Sequence, residues 1–85
     1  MYEVVFDEKA IDFLEKLPKD ARDRIFRKVI SAKENPFHFF ESLEGNDFYK
    51  MRVGDYRVIA DIDNNRITVI LVGHRKNIYE KVNSL

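Results

Sequence analysis

The chain has 85 residues, 45% of them hydrophobic, and its 15 basic and 15 acidic side chains give a formal net charge of zero. This length predicts one domain over residues 1–85, and the neutral charge argues against a protein that coats nucleic acid indiscriminately, because such binding comes from summed phosphate neutralisation. The absence of cysteine excludes disulfides and thiolate metal sites. No signal segment or apolar span is evident, so we expect a cytoplasmic protein with no membrane contact.

The first half of the chain predicts one strand and two helices. Residues 2–6 alternate as a strand with one buried face. Asp7 can cap a helix whose apolar residues recur at helical spacing until Pro18. A second amphipathic helix runs from about residue 21 to residue 34 and stops at Asn35-Pro36. Helices joined this tightly form an antiparallel αα-hairpin that needs a sheet to cover.

Two features of this half have competing interpretations. The outer face of the second helix carries Arg22, Arg24, Arg27 and Lys28 among acidic residues. We interpret it as solvated surface, with contact to a large RNA as the alternative. Residues 36–48 form a loop rich in aromatic side chains that we expect to pack over an edge of the core, with His38 in a structural role.

The net positive charge lies in the second part of the chain, which begins with a hairpin. Residues 1–49 carry eight Lys/Arg and eleven Asp/Glu (a balance of −3), whereas residues 50–85 carry seven and four (+3). A two-residue turn at Gly54-Asp55 places Arg52 opposite Arg57. Because side chains alternate, Lys50, Arg52 and Arg57 then share one face, and the apolar residues between them point to the core. Opposed like charges destabilise a sheet by about 0.2–1 kcal/mol, so either a bound polyanion offsets this cost or the face is merely solvated.

The remaining residues predict a second turn and a central strand. A turn at residues 63–66 precedes Ile67–Val72, which is apolar on both faces. Counting from this turn places Val72 opposite Arg57 and brings His74 onto the cationic face. A helical segment around Ile78 and Val82 follows. The order β-α-α-β-β-β predicts an α+β fold, an antiparallel sheet with the αα-hairpin packed on one face.

The predicted pairings bring several candidate groups together: Lys50, Arg52, Arg57, His74, Arg75 and Tyr79. Cleavage of a phosphodiester uses cations around the developing negative charge, one group that takes a proton and one that gives a proton. A two-metal nuclease needs clustered carboxylates, and only Asp61 follows the alternation of the cationic face, so we expect no metal and no other cofactor. With one candidate histidine rather than a pair, Lys50, His74 or Tyr79 would have to serve as acid and base.

In order and spacing, these segments resemble the RelE branch of the RelE/ParE toxin superfamily. The resemblance covers nearly the whole chain and is carried by Tyr2–Phe6, Asn35-Pro36, Leu43-Glu44-Gly45, Tyr49–Arg57, Val72–Arg75 and Tyr79. It implies an mRNA interferase that cleaves mRNA in the ribosomal A site without metal, the ribose 2′-hydroxyl attacking the adjacent phosphate.

The resemblance also assigns roles to residues. The positions that match the family's catalytic set are Lys50, Arg52, Arg57, Arg75 and Tyr79. Lys50, Arg52 or Tyr79 would activate or orient the 2′-hydroxyl. Arg57 would stabilise the pentavalent phosphate and Arg75 would assist the leaving oxygen. We expect the mRNA to contact Lys50, Arg52, His74 and Lys76.

The partners implied by the resemblance are a RelB-like antitoxin, ribosomal RNA and mRNA, with operator DNA reached only through the antitoxin. We expect the aromatic loop and the tail around Ile78 and Val82 to leave an apolar patch for the antitoxin. Many relatives are strongly basic and this chain is neutral, so docking on ribosomal RNA would use local patches. Two other functions stay open: a ParE-like inhibitor of DNA gyrase, which does not need the cationic face, and a non-catalytic RNA-binding regulatory module.

Overall fold

A computed structural model describes residues 1–85 as a five-stranded sheet with helices on both faces. The elements in chain order are β1 (Glu3–Phe6), α1 (Glu8–Glu15), α2 (Lys19–Ser31), α3 (Pro36–Phe39), β2 (Glu41–Ser42), β3 (Tyr49–Val53), β4 (Tyr56–Asp63), β5 (Arg66–His74) and α4 (Ile78–Asn83). The strands lie in the order β1-β5-β4-β3-β2. No helix has the length and apolar character needed to cross a membrane.

The predicted α+β class and the αα-hairpin on one face are confirmed, and β1 adds a parallel pairing. β1 lies beside β5 in parallel register, from Glu3↔Arg66 to Phe6↔Val69, whereas the other three pairings are antiparallel. The sheet is therefore mixed rather than purely antiparallel. Parallel strands need a crossover connection, and the chain between β1 and β5 includes the αα-hairpin, which crosses one face of the sheet.

The face covered by α1 and α2, called here the first face, contains the main core. Asp7 caps α1 as predicted, its carboxylate accepting a hydrogen bond from the backbone N–H of Lys9 at 3.3 Å. The buried apolar residues of both helices pack against alternate residues of β3, β4 and β5. The cluster consists of Ala10, Leu14, Ile25, Val29, Ala32, Phe40, Met51, Val53, Val58, Ala60, Ile67, Val69 and Val72. The apolar residues at helical spacing in α1 and α2 thus pack against the alternate residues of β3 in one layer.

The β3–β4 hairpin has the predicted register. Met51, Arg52 and Val53 pair with Val58, Arg57 and Tyr56, respectively. Gly54 occupies the left-handed region at φ 58°, a conformation that the turn requires and glycine adopts readily. The three cations of this hairpin consequently project from the opposite surface of the sheet, called here the second face.

The predicted β4–β5 register is wrong near its end. Ala60 pairs with Val69 but Ile59 pairs with Leu71, so Ile70 is an extra residue in β5. This β-bulge shifts the pairing by one residue, and a one-residue shift moves side chains to the other face. Gly73, not Val72, therefore lies opposite Arg57, and His74 pairs with Tyr56 on the first face.

Residues 36–48, predicted as an aromatic loop, contain α3 and the two-residue strand β2. Pro36 begins α3, where its missing N–H is not needed. β2 then pairs with the edge of β3, Glu41 opposite Lys50. The segment does lie at an edge of the sheet as expected, with Phe40 and Leu43 buried.

The tail forms α4, which packs on the second face. Ile78 and Val82 are buried with Leu43, Ile59 and Leu71 in a separate cluster. The expectation that Ile78 and Val82 leave an exposed patch is wrong, because α4 turns its apolar side toward β4 and β5. Gly73 permits this approach, since a β-carbon there would lie 2.8 Å from Ile78 Cδ1.

Candidate active site on the second face

The part of the second face that α4 leaves open contains a pocket of about 180 Å³, called here the basic pocket. Its lining consists of Glu41, Lys50, Arg52, Arg57 and Tyr79. Four of the five residues that match the family's catalytic set thus lie together. Glu41 was not predicted, and β2 brings it there.

Four elements, β2, β3, β4 and α4, position the five lining residues. Lys50 and Arg52 alternate along β3, and Arg57 lies directly opposite Arg52 on β4. Lys50 Nζ is 3.8 Å from Glu41 Oε1 and 6.0 Å from the centre of the Tyr79 ring. The lysine ammonium therefore lies between the carboxylate of β2 and the phenol of α4, within cation–π range of the ring.

Arg57 is held by its own hairpin. Its Nη1 donates hydrogen bonds of 2.9 Å to the carbonyl oxygens of Gly54 and Tyr56. A guanidinium has five N–H donors, so three remain for an oxyanion. Neither Arg57 nor Arg52 forms an ion pair within the chain. The two opposed guanidinium groups form an uncompensated positive site that suits a phosphate, because guanidinium binds phosphate oxygens with bidentate geometry.

Arg75 lies near the basic pocket without lining it. Its backbone N–H donates to the carbonyl oxygen of Asp55 at 2.8 Å, and its Nε is 3.8 Å from Asp55 Oδ1. The residue is thereby tied to the β3–β4 turn. Lys76 is exposed just beyond it, and its backbone N–H donates to His74 Nδ1 at 3.2 Å.

His74 does not join the cations. Its ring centre lies 6.0 Å from that of Tyr56, which in turn lies 6.4 Å from Phe13 of α1. The histidine is therefore part of an aromatic row on the first face, on the side of the sheet opposite Arg57.

The second helix extends the positive surface around the hairpin turn. Lys28 Nζ donates a 2.6 Å hydrogen bond to the carbonyl oxygen of Arg52. A β-carbon at Gly54 would lie 2.6 Å from Arg24 Nη2, so this guanidinium covers the turn. Elsewhere on α2, Lys19 Nζ donates a 3.0 Å hydrogen bond to Asp23 Oδ2 in an exposed pair, and this hydrogen bond lowers the pKa of Asp23.

An apolar groove of about 400 Å³ on the helical side is the second notable surface. Phe26 is 49% exposed and stacks on Phe6 at 5.6 Å between ring centres, and Ile11 is 41% exposed. Large apolar side chains also meet solvent outside this groove, at Phe37 of α3 (54% exposed) in the aromatic segment and at Leu85 of the tail (56% exposed). No three His, Asp or Glu side chains anywhere in the chain lie close enough to hold a metal ion together.

Residues 4–79 match the model of the family described as the ParE toxin of the type II toxin–antitoxin system parDE. Among solved structures, the RelBE toxin–antitoxin complex of E. coli is 27% identical with a TM-score of 0.75, covering 87% of this chain and 96% of that chain. The RelBE2 complex of Mycobacterium tuberculosis is 25% identical with a TM-score of 0.79, covering 87% of this chain and 98% of that chain. The archaeal RelE–RelB complex of Pyrococcus horikoshii is 28% identical with a TM-score of 0.76, covering 87% of this chain and 94% of that chain. None of the curated protein sequences compared with the chain matches it significantly.

Proposed function

The chain belongs to the ParE toxin family of type II toxin–antitoxin systems, within the RelE/ParE superfamily, and we propose that it is a RelE-type mRNA interferase. In this proposal it is a cytoplasmic endoribonuclease that cuts mRNA in the A site of the ribosome and so inhibits translation. The observation that carries the proposal is the pair of opposed guanidinium groups of Arg52 and Arg57, unpaired with any carboxylate, in a pocket beside Lys50 and Tyr79. The repulsion between the two groups opposes folding by about 0.2–1 kcal/mol, and a bound phosphate would offset that cost.

The scissile phosphate binds at Arg52 and Arg57. The carbonyls of Gly54 and Tyr56 fix the Arg57 guanidinium before the substrate arrives, so its free N–H groups can meet the charge that develops on the pentavalent phosphate. Donors that are already oriented need no reorganisation during the reaction, which makes this kind of stabilisation effective.

The attacking 2′-hydroxyl lies toward Lys50 and Tyr79. Both groups can donate hydrogen bonds that orient the ribose, and the contact of Lys50 with the Tyr79 ring holds them together. Arg75 assists the leaving oxygen after its guanidinium turns from Asp55 toward the substrate. Lys76 contacts the mRNA outside the pocket, whereas His74 is assigned to packing against Tyr56.

The proposed partners follow from the surfaces. Arg24 and Lys28 give the neutral chain a local basic patch for ribosomal RNA. A RelB-like antitoxin neutralises the toxin. The antitoxin binds operator DNA, and the toxin reaches that DNA only through the antitoxin. Support for this partner comes from the structural relatives, which include toxin–antitoxin complexes.

Protein stripped of metal with EDTA, then desalted and added to programmed ribosomes in their Mg²⁺ buffer, tests the proposal. Cuts in the A-site codon that leave 2′,3′-cyclic phosphate ends, with naked mRNA left intact, are the expected result. Cutting that requires metal to be added back to the stripped protein, or equal cutting of naked RNA, counts against it.

Two parallel assays separate the other functions. Inhibition of DNA gyrase supercoiling without mRNA cuts would show the ParE-like activity, which the name of the matched family keeps open. Arrest of translation without cuts would show a non-catalytic RNA-binding module.

A further inference from the structure

The β3–β4 hairpin carries both guanidinium groups of the basic pocket, and one edge of this hairpin has no strand beside it. Every residue of β3 pairs with β4, whereas β2 pairs only with Tyr49 and Lys50. No strand therefore lies next to Arg52 on the outer edge of β3. Backbone groups on such an edge have no ladder partner, and the repulsion between Arg52 and Arg57 acts at the same place.

A lysine of α2 lies where a further strand would pair. Val53 and Tyr56 flank the two-residue turn and face each other across the hairpin, so the alternation of an antiparallel ladder turns the carbonyl of Arg52 away from β4. Lys28 Nζ donates a 2.6 Å hydrogen bond to this carbonyl oxygen. Hydrogen bonds from charged donors are about twice as strong as neutral ones. The ammonium thus replaces the backbone N–H that another strand would supply.

Lys28 reaches the hairpin from the side of the sheet opposite the basic pocket. α2 covers the first face, whereas the side chain of Arg52 lines the pocket on the second face, and Lys28 is not part of that lining. The lysine therefore contacts the backbone that carries Arg52 and not the space in which a substrate would bind. Arg24, one turn earlier on the same side of α2, covers Gly54 of the same hairpin.

From this arrangement we infer that Lys28 is a positioning residue for the cleavage reaction, an inference that rests on the proposed function. Its hydrogen bond fixes the backbone of Arg52, so that the guanidinium groups of Arg52 and Arg57 stay together on one phosphate despite their repulsion. Donors that are oriented in advance need no reorganisation in the transition state. Lys28 consequently raises the rate of the chemical step through Arg52, without contact with RNA in the pocket.

Lys28 also adds charge to the surface proposed for ribosomal RNA, and the two effects are separable. Loss of the charge weakens binding to the ribosome, whereas loss of the hydrogen bond to Arg52 slows the cut after binding. Arg27 is the matched control for the charge. It is an exposed cation of the same helix, and its Nε donates a 3.3 Å hydrogen bond to the carbonyl oxygen of Asp23 within α2.

Single-turnover cleavage on programmed ribosomes, at increasing excess of protein, measures the half-maximal concentration and the rate at saturation. Lys28→Met removes the ammonium and keeps the length of the side chain. We expect its rate at saturation to fall about 10-fold or more, since a misplacement of about 1 Å can cost about 100-fold. Arg27→Met should raise the half-maximal concentration and leave the rate at saturation unchanged. A variant that is merely less stable contains fewer folded molecules, which also raises that concentration and not the rate at saturation.

A double-mutant cycle shows whether Lys28 acts through Arg52. Arg52→Ala removes the guanidinium that Lys28 is inferred to hold, so adding Lys28→Met to Arg52→Ala should slow the cut little further. Lys28→Arg keeps a charged donor and should recover part of the rate that Lys28→Met loses.

Any of the following results would overturn the inference: a Lys28→Met rate at saturation equal to that of Arg27→Met, a Lys28→Met effect as large beside Arg52→Ala as without it, a Lys28→Arg rate no higher than that of Lys28→Met, or a Lys28→Met variant that does not fold where Arg27→Met does. Each of them leaves the proposed function standing, because wild-type cutting is measured alongside. A wild-type protein that cuts no ribosome-bound mRNA overturns the proposed function and this inference with it.

Discussion

The two faces of the sheet differ in what covers them. On the first face, α1 and α2 enclose thirteen buried residues in one cluster. On the second face, α4 covers a cluster of five and leaves the rest to charged side chains. This difference teaches that stability and the proposed activity rest on different residues, since burial of apolar area stabilises the fold and open guanidinium groups do not. Substitutions on the two faces should therefore have separable effects.

The largest loss of stability is expected on the first face. Ile25→Ala removes a fully buried side chain of α2 and leaves a cavity, which should lower the free energy of unfolding by about 2–5 kcal/mol. A domain of this length has roughly 4–13 kcal/mol in total, so urea denaturation will show the change clearly. Ile11→Ala, at a 41% exposed position of α1, is the matched control and should have little effect. Equal losses at both positions would contradict the assignment of the core.

On the second face the effect should fall on activity. Arg57→Ala should lower cleavage by about 100-fold or more, since one positioned donor to a transition state is worth about 2.7–4 kcal/mol. Unfolding should change little, because the two lost turn hydrogen bonds are offset by relief of repulsion with Arg52. Arg66→Ala serves as the control. Arg66 does not line the pocket, and its Nε lies 2.7 Å from Glu3 Oε1 in an exposed ion pair. A variant that unfolds under conditions where wild type is stable would show Arg57 to be structural.

The boundary between packed and open parts of the second face lies at Gly73. Gly73→Ala puts a methyl group 2.8 Å from Ile78 Cδ1, and such overpacking typically costs about 1–3 kcal/mol. We expect lower stability together with slower cleavage, because displacement of α4 carries Tyr79 away from Lys50. The added substitution Ile78→Val removes the clashing carbon and should restore part of both properties. Failure of this rescue would mean that α4 does not position Tyr79.

The smallest effect is expected at the edge of the pocket. Asp55→Asn weakens the exposed 3.8 Å pair with Arg75, and pairs of this kind contribute about 0.2–1 kcal/mol to stability. Cleavage should not fall, because the substitution frees Arg75 to reach the substrate. A clear drop in cleavage would show that Asp55 holds Arg75 in its working position.

How much of the fold and of the candidate site could be predicted depended on local sequence signals. The β3–β4 register was predictable because the two-residue turn at Gly54-Asp55 fixes which residues face each other. The β4–β5 register was not, because Ile67–Val72 is apolar on both faces, and a run without clear alternation gives no sign of a bulge at Ile70. His74 was consequently placed on the wrong face.

Glu41 was missed for a related reason. A strand of two residues has no periodicity of its own, and β2 exists because the edge of β3 is available for pairing. Arg75 shows a different limit. The resemblance places it in the catalytic set, but its position beside Asp55 depends on how the chain leaves β5, which the sequence does not specify.

The most direct measurement compares two mRNAs on programmed ribosomes, one all-ribose and one with a single 2′-deoxy nucleotide immediately before the scissile phosphate. The account predicts that wild-type protein cuts the first mRNA and leaves the second intact, and that Arg57→Ala cuts the first far more slowly. Equal cutting of both mRNAs, or cutting of neither, would contradict the claim that the open half of the second face is a ribonuclease site.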